Sequence, residues 1–125
     1  MTYEIEVTDH FSSAHRLRDQ GSACERMHGH NWFVTVTLRS ETLDDIGLVI
    51  DFKVVKKHLK EILGVLDHQD LNAIPPFDTI NPSTENLARH IFEQMSGRLA
   101  GAAVGVHRVR VSEGPNTAAS FYGGA

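Results

Sequence analysis

The chain of 125 residues contains a single cysteine, Cys24, so a disulfide within the chain is impossible. No apolar run approaches the length that spans a membrane, and the N-terminal segment lacks the basic and then apolar order of a secretory signal. These absences predict a soluble, cytoplasmic protein that has no membrane partner.

Basic residues are also in the minority. Twelve Lys and Arg face sixteen Asp and Glu, which gives a formal net charge of −4, and the aromatic content is 7%. Nucleic-acid binding is therefore not expected, because it needs a concentrated basic surface with aromatic side chains. Local cations could still bind a small anionic substrate. With 41% hydrophobic residues, the sequence predicts one domain over residues 1–125.

The first third of the chain alternates with the period of a β-strand. Tyr3, Ile5 and Val7 share one face of residues 3–15, which predicts a half-buried strand. The same alternation continues in a second strand from about His30 to Arg39. The polar stretch between the two strands is predicted to be a loop.

The middle of the chain changes to the helical period. Asp51 is a predicted N-cap for a helix of about four turns. Prolines within residues 75–82 exclude a continuous helix, and a second amphipathic helix follows with Glu85 in its first turn. The apolar positions that mark the two helices are Phe52, Val55, Leu59, Ile62, Leu63 and Leu66, then Leu87, Ile91, Met95 and Leu99.

Residues 106–123 have the pattern of two further strands that meet at a Gly-Pro-Asn turn. The element order is therefore ββααββ. This order predicts an α+β fold with a four-stranded antiparallel sheet and two helices on one face. The other face of the sheet must contact water or another subunit.

Three histidines could form a metal site. His28 and His30 are two residues apart at the start of a strand, so their rings project from one face, and Gly29 adds no bulk between them. His15, at the end of the first strand, joins them if the two strands pair antiparallel. Three histidines suit catalytic zinc. On spacing alone, surface histidines at a strand end are the alternative interpretation.

The remaining histidines lack ligand spacing. His58 and His90 lie beside charged residues on the predicted helices and are expected to be solvated surface groups. His10 and His107 lie in predicted strands without neighbouring ligands. We therefore assign no site to these four residues.

Cys24 has three interpretations on the residues alone: a fourth zinc ligand, a small buried hydrophobe, or a base activated by a nearby histidine. Asp67 and His68, in "LDHQDLN", could supply that histidine. Adjacent side chains are not expected to hydrogen-bond readily, so whether Asp67 orients His68 stays open. An ordinary helix C-terminus is the alternative.

Five segments in order, "FSSAH", "CERMHGH", "LDHQDLN", "PSTENLA" and "VSEGP", resemble the 6-pyruvoyltetrahydropterin synthase and 6-carboxytetrahydropterin synthase family. The resemblance spans nearly the whole chain. It implies the tunnelling fold (T-fold), in which sheets of several subunits close into a barrel. It also implies a homohexamer, a dimer of trimers, with active sites at subunit interfaces.

The resemblance also assigns roles. His15, His28 and His30 would bind Zn²⁺, and Cys24 would abstract a proton with Asp67 and His68 as its catalytic partners. Glu113 would anchor the pterin ring of 7,8-dihydroneopterin triphosphate through two parallel hydrogen bonds. Ser83, Thr84 and Glu85 lie where the family approaches the substrate, although a helix N-terminus explains them equally well. The local cations that could meet the triphosphate are Arg16, Arg18 and Arg26.

The spacing of Cys24 from His28 resembles the 6-carboxytetrahydropterin synthases of queuosine and deazapurine synthesis. The products would be 6-carboxytetrahydropterin, acetaldehyde and triphosphate. Glu25 also fits the E-x-x-H-G-H pattern of enzymes that form 6-hydroxymethyldihydropterin. A pyruvoyl-type, folate-type or dual enzyme is therefore the alternative. The non-enzymatic alternative is an oligomer that binds pterin or zinc without turnover.

Overall fold

Two long strands open the structure, a computed structural model that describes residues 1–21 and 23–123. Strand β1 (Tyr3–His15) pairs antiparallel with β2 (His28–Ser40) along its whole length, from Tyr3 opposite Ser40 to His15 opposite His28. A short 3-10 helix, Ala23–Glu25, interrupts the loop predicted between them. Ser22 of that loop lies outside the described residues.

The two helices form where the apolar period predicts them. Helix α1 (Phe52–Leu66) begins at Asp51, whose carboxylate accepts a hydrogen bond from the Lys53 amide. Helix α2 (Thr84–Arg98) begins at the N-cap Ser83. Each helix has 15 residues and carries charged side chains. No helix in residues 1–21 and 23–123 is therefore long and apolar enough to cross a membrane.

Strands β3 (Gly105–Gly114) and β4 (Thr117–Tyr122) complete the sheet, whose strands are antiparallel and lie in chain order. The predicted order of two strands, two helices and two strands is confirmed. Both helices pack on one face of this sheet. Strand β1 contacts α1, and β3 and β4 contact α2.

The core lies between the helices and one face of the sheet. Trp32, Val34, Val36 and Leu38 alternate along β2 and are fully buried. Phe11 of β1 stacks on Trp32 with ring centroids 5.9 Å apart. Because His28 and His30 continue the same alternation, the buried face of β2 ends in two imidazoles.

The predicted surface position of His90 is wrong. Its ring packs against Phe77, with centroids 5.2 Å apart, and the side chain is half-buried. Burial lowers the pKa of His90 below 6.5, while Glu93 acts in the opposite direction. The loop that carries Phe77 folds back onto α2, a contact that helical periodicity does not reveal.

His90→Gln is expected to weaken the pH dependence of stability. Because the folded pKa is below the unfolded value of 6.5, the stabilising contribution is present above pH 6.5 and is lost as the pH falls below it. Urea unfolding at about pH 7.5 and about pH 5.5 measures the loss. The exposed His10 provides a control, and an equal pH dependence in His10→Gln and His90→Gln would contradict the assignment.

Candidate metal centre and active site

The structure brings the three predicted histidines together. His15 lies opposite His28 across the β1–β2 pair, and His30 follows on the same face. The ring centroids are 4.5 Å apart for His15 and His28, 4.9 Å for His28 and His30, and 5.2 Å for His15 and His30. One nitrogen of each ring lies within 4.8 Å of the others, so the three can act as ligands of one metal ion.

Backbone carbonyls set the tautomers of two of these rings. His15 is 1% exposed, and its Nδ1–H donates to the Pro82 carbonyl oxygen at 2.7 Å. The Nδ1–H of His28 donates to the Arg26 carbonyl oxygen, also at 2.7 Å. In the neutral form of either ring, the lone pair is therefore on Nε2. Histidine ligands of metals usually hold their second nitrogen in this way.

His15 provides the strongest test of the metal assignment. Its Nε2 is buried and has no hydrogen-bond partner among the described residues. Burial lowers the pKa of His15, so its ring stays neutral, which is the form that binds metal. A buried polar atom without a partner is costly. A donor set of three imidazoles fits zinc, which would bind this nitrogen.

Trp32 supports the ring cluster from the core side. Its ring contacts His15 at a centroid distance of 4.8 Å and His30 at 5.2 Å, both edge-on. Its Nε1–H donates to the Ser13 carbonyl oxygen at 3.3 Å. Because Trp32 is fully buried, the rings rest on a fixed apolar base.

Glu113, at the end of β3, lies at the open side of the cluster. Its Oε2 is 3.5 Å from His30 Nε2 and 4.0 Å from His15 Nε2. Thr84 donates a hydrogen bond to the same oxygen at 3.2 Å. The side chain of Glu113 is 34% exposed, so a carboxylate faces both the histidines and solvent. Ser83 serves as the helix cap instead, because its hydroxyl accepts from the Asn86 amide.

Asp67 and His68 contact each other directly. His68 Nδ1 lies 2.8 Å from Asp67 Oδ2. The two neighbouring side chains therefore come into contact, and whether Asp67 orients His68 stays a prediction. His68 has a φ of +55°, a conformation outside the regular helix. His68 directly follows the C-cap Asp67, a position at which many helices end in a left-handed residue.

The Asp67–His68 pair is fixed beside the end of β1. The Ser12 amide donates to Asp67 Oδ1 at 2.8 Å, and this bond and the one from His68 lower the pKa of Asp67. The His68 amide donates to the Ser12 carbonyl, and the Ala14 amide donates to the Gln69 carbonyl. The segment after α1 thus runs along the edge of β1 that ends at His15. The His68 side chain remains 81% exposed.

Cys24 and Glu25 share the short helix that precedes β2. Both are half-buried. The Cys24 carbonyl accepts a hydrogen bond from the Leu17 amide at 2.7 Å, which closes the loop between the two histidine-bearing strands. The loop therefore brings the Cys24 backbone next to Leu17, two residues after His15.

Two asparagine side chains fasten this loop to the segment between the helices. Asn72 pairs with both the amide and the carbonyl of Arg16, at 2.9 and 3.1 Å. Asn81 pairs in the same way with Arg18, at 2.8 and 3.0 Å. We name these contacts the asparagine clamps. Sequence reasoning missed them, because an asparagine in a loop carries no signal of its partner.

Arg18 fastens the loop after β1 to the segment between the helices. Its guanidinium donates to the carbonyl of Phe77 at 2.6 Å and to that of Ile80 at 3.1 Å. These bonds give Arg18 a structural role, and its contact with the triphosphate stays a prediction. Arg16 and Arg26 remain exposed in the same loop.

Comparison with known proteins places this arrangement among pterin enzymes. Residues 4–124 match the family described as 6-pyruvoyl tetrahydropterin synthase. The chain is 33% identical over 103 residues to 6-carboxy-5,6,7,8-tetrahydropterin synthase of Bacillus subtilis, covering 78% of this chain and 68% of the relative. The corresponding protein of Synechocystis is 32% identical over 117 residues, covering 90% and 87%.

The structure of Caenorhabditis elegans 6-pyruvoyl tetrahydropterin synthase superimposes with a TM-score of 0.87 and 26% identity. The superposition covers 99% of this chain and 97% of the other. This similarity confirms the predicted tunnelling-fold class of the chain.

Proposed function

The chain belongs to the 6-pyruvoyl tetrahydropterin synthase family, and on this premise we propose that it is a zinc-dependent 6-carboxytetrahydropterin synthase. It converts 7,8-dihydroneopterin triphosphate and water to 6-carboxy-5,6,7,8-tetrahydropterin, acetaldehyde and triphosphate, in queuosine or related deazapurine synthesis. The observation that carries the proposal is the three-histidine cluster, in which the buried Nε2 of His15 has no hydrogen-bond partner among the described residues. The two bacterial relatives with the 6-carboxy name support the choice of product.

The histidine cluster would hold Zn²⁺, which when bound supplies a Lewis acid that makes the side-chain hydroxyls and neighbouring C–H groups of the substrate more acidic. His15, His28 and His30 would hold the ion in a fixed position relative to the sheet. Trp32 excludes water from the core side of the rings. The substrate must therefore approach from the side where Glu113 lies.

We assign proton transfer to Cys24 and His68. Cys24, as the thiolate, accepts a proton from the substrate side chain. His68, oriented by Asp67 at 2.8 Å, relays or returns a proton at another position. Glu113 accepts the 2-amino and ring N–H donors of the pterin, a pairing that suits a carboxylate.

Assembly completes the proposal. The exposed His68 and the face of the sheet away from the helices leave room for neighbouring subunits around the site. We propose a cytoplasmic homohexamer, a dimer of trimers, with active sites at subunit interfaces. Neither a nucleic acid nor a membrane belongs to the proposed partners.

The second candidate is a pyruvoyl-type, folate-type or dual enzyme. Glu25 favours it, because this half-buried carboxyl is in the same helical turn as Cys24. The C. elegans structure bears the 6-pyruvoyl name. A pterin- or zinc-binding oligomer without turnover is the third possibility, but such a protein would not need Cys24 or His68.

Asp67→Asn is expected to lower kcat by about 10- to 100-fold without changing zinc content. The amide keeps an acceptor for Ser12 but loses the charge that orients His68. A fall in kcat at constant KM, partly restored in Asp67→Glu, would support this positioning role. Equal loss of activity and folding stability would show that Asp67 only terminates α1.

The test of the proposed function is product identification. The zinc-loaded protein is given 7,8-dihydroneopterin triphosphate, and the pterin product is identified by mass spectrometry. Release of 6-carboxytetrahydropterin with acetaldehyde supports the proposal. A 6-pyruvoyl or 6-hydroxymethyl product selects the second candidate, and binding without product selects the third.

A further inference from the structure

A groove of about 570 Å³ connects the histidine cluster with the face of the sheet away from the helices. At its inner end are His30 and Glu113, and further out it is lined by Asn31, Phe33 and Arg110. Phe33 is 50% exposed and offers this space an apolar wall. We call this space the outer groove.

Arg110 is the only lysine or arginine among the described residues that line the outer groove. It is exposed, and its guanidinium makes no hydrogen bond or ion pair within residues 1–21 and 23–123. By contrast, Arg108 lies two positions earlier on the same face of β3 and is engaged. It donates to the Ser120 hydroxyl at 3.1 Å and lies over the Tyr122 ring at 5.5 Å.

The two ends of the outer groove carry opposite charges. Glu113 at the inner end would repel a phosphate and attract the N–H donors of a pterin ring. Arg110 at the outer end would attract a phosphate and can bind two of its oxygens at once. None of the arginines singled out in the sequence, Arg16, Arg18 and Arg26, lines this groove.

We propose that Arg110 binds the triphosphate of the substrate in the outer groove. The inference rests on the proposed function, since it takes 7,8-dihydroneopterin triphosphate as the ligand. It adds a determinant of substrate specificity: Arg110 distinguishes the triphosphate ester from the free alcohol. Because Arg110 has no contact with the histidine cluster among the described residues, we expect it to contribute binding rather than chemistry.

The experiment compares two ligands on zinc-loaded protein in which Cys24→Ala prevents turnover. Binding of 7,8-dihydroneopterin triphosphate and of 7,8-dihydroneopterin is followed by pterin fluorescence, with and without Arg110→Gln. The triphosphate should bind about 10- to 100-fold more weakly to the Arg110→Gln protein, while the affinity for the free alcohol is unchanged. Arg110→Lys should give an intermediate loss of affinity for the triphosphate, because lysine keeps the positive charge but cannot donate to two phosphate oxygens in the planar geometry of a guanidinium.

Arg108→Gln is the matched control and should leave both affinities unchanged. Equal affinity of the Arg110→Gln and parent proteins for the triphosphate would overturn the inference while leaving the proposed function intact. Binding of neither ligand to the parent protein would overturn both. Size-exclusion chromatography accompanies each variant, and dissociation of the Arg110→Gln oligomer with unchanged affinity would make Arg110 an interface residue instead.

Discussion

Cys24→Ala is expected to lower kcat for 7,8-dihydroneopterin triphosphate by about 10³-fold or more, with zinc content unchanged. The thiolate is the proposed proton acceptor, and alanine offers none. The hydrogen bond from the Leu17 amide to the Cys24 carbonyl, which closes the loop, involves only backbone atoms and is kept in the variant. Turnover and metal analysis on the same sample test both statements.

Two variants sharpen the test of Cys24. Cys24→Ser keeps the size of the side chain, but the hydroxyl is too weak an acid to supply an anion near neutral pH, so it should be nearly as inactive as alanine. Glu25→Gln should retain formation of 6-carboxytetrahydropterin. Loss of zinc from Cys24→Ala would place the thiol among the metal ligands, and full activity would exclude it as the base.

His30→Ala and His15→Ala are expected to weaken zinc binding by at least about 100-fold and to abolish turnover. Their effects on stability should differ. His30 is 25% exposed, whereas His15 is buried and donates to the Pro82 carbonyl. His15→Ala should therefore also cost about 2 kcal/mol of metal-free folding stability, from the cavity and the lost hydrogen bond.

Metal titration and urea unfolding of the metal-free variants separate these two effects. His10→Ala is the matched control, because His10 is an exposed histidine of strand β1, which also carries His15, and it lies outside the cluster. It should retain both zinc affinity and stability. Undiminished zinc binding by both variants of the cluster would contradict the proposed metal centre.

Much of the fold could be predicted because each element repeats its own period over several residues. Helix α1 has apolar residues at helical spacing from Val55 to Leu66 and a capping Asp51, and all of these features are local. The cluster of His15 with His28 and His30 could be predicted because antiparallel pairing joins two strand ends. Local pattern and simple pairing therefore account for what the sequence revealed.

The contacts that the sequence did not reveal depend on backbone conformation outside the regular elements. The Asp67–His68 bond occurs where His68 adopts a left-handed conformation, which a helix-terminal "LDH" does not specify. The Pro82 carbonyl reaches His15 only through the course of the loop between the helices. His90 was misplaced for the same reason, since Phe77 covers it from that loop.

The asparagine clamps make two loops behave as one cooperative unit. Arg16 and Arg18 lie beyond the end of β1, yet Asn72 and Asn81 satisfy their amides and carbonyls much as a neighbouring strand would. Local opening of the loop that carries Cys24 must therefore break bonds to the inter-helix segment as well, which raises its free energy. The protein thus limits fluctuation of its proposed base relative to its proposed metal without extending the sheet.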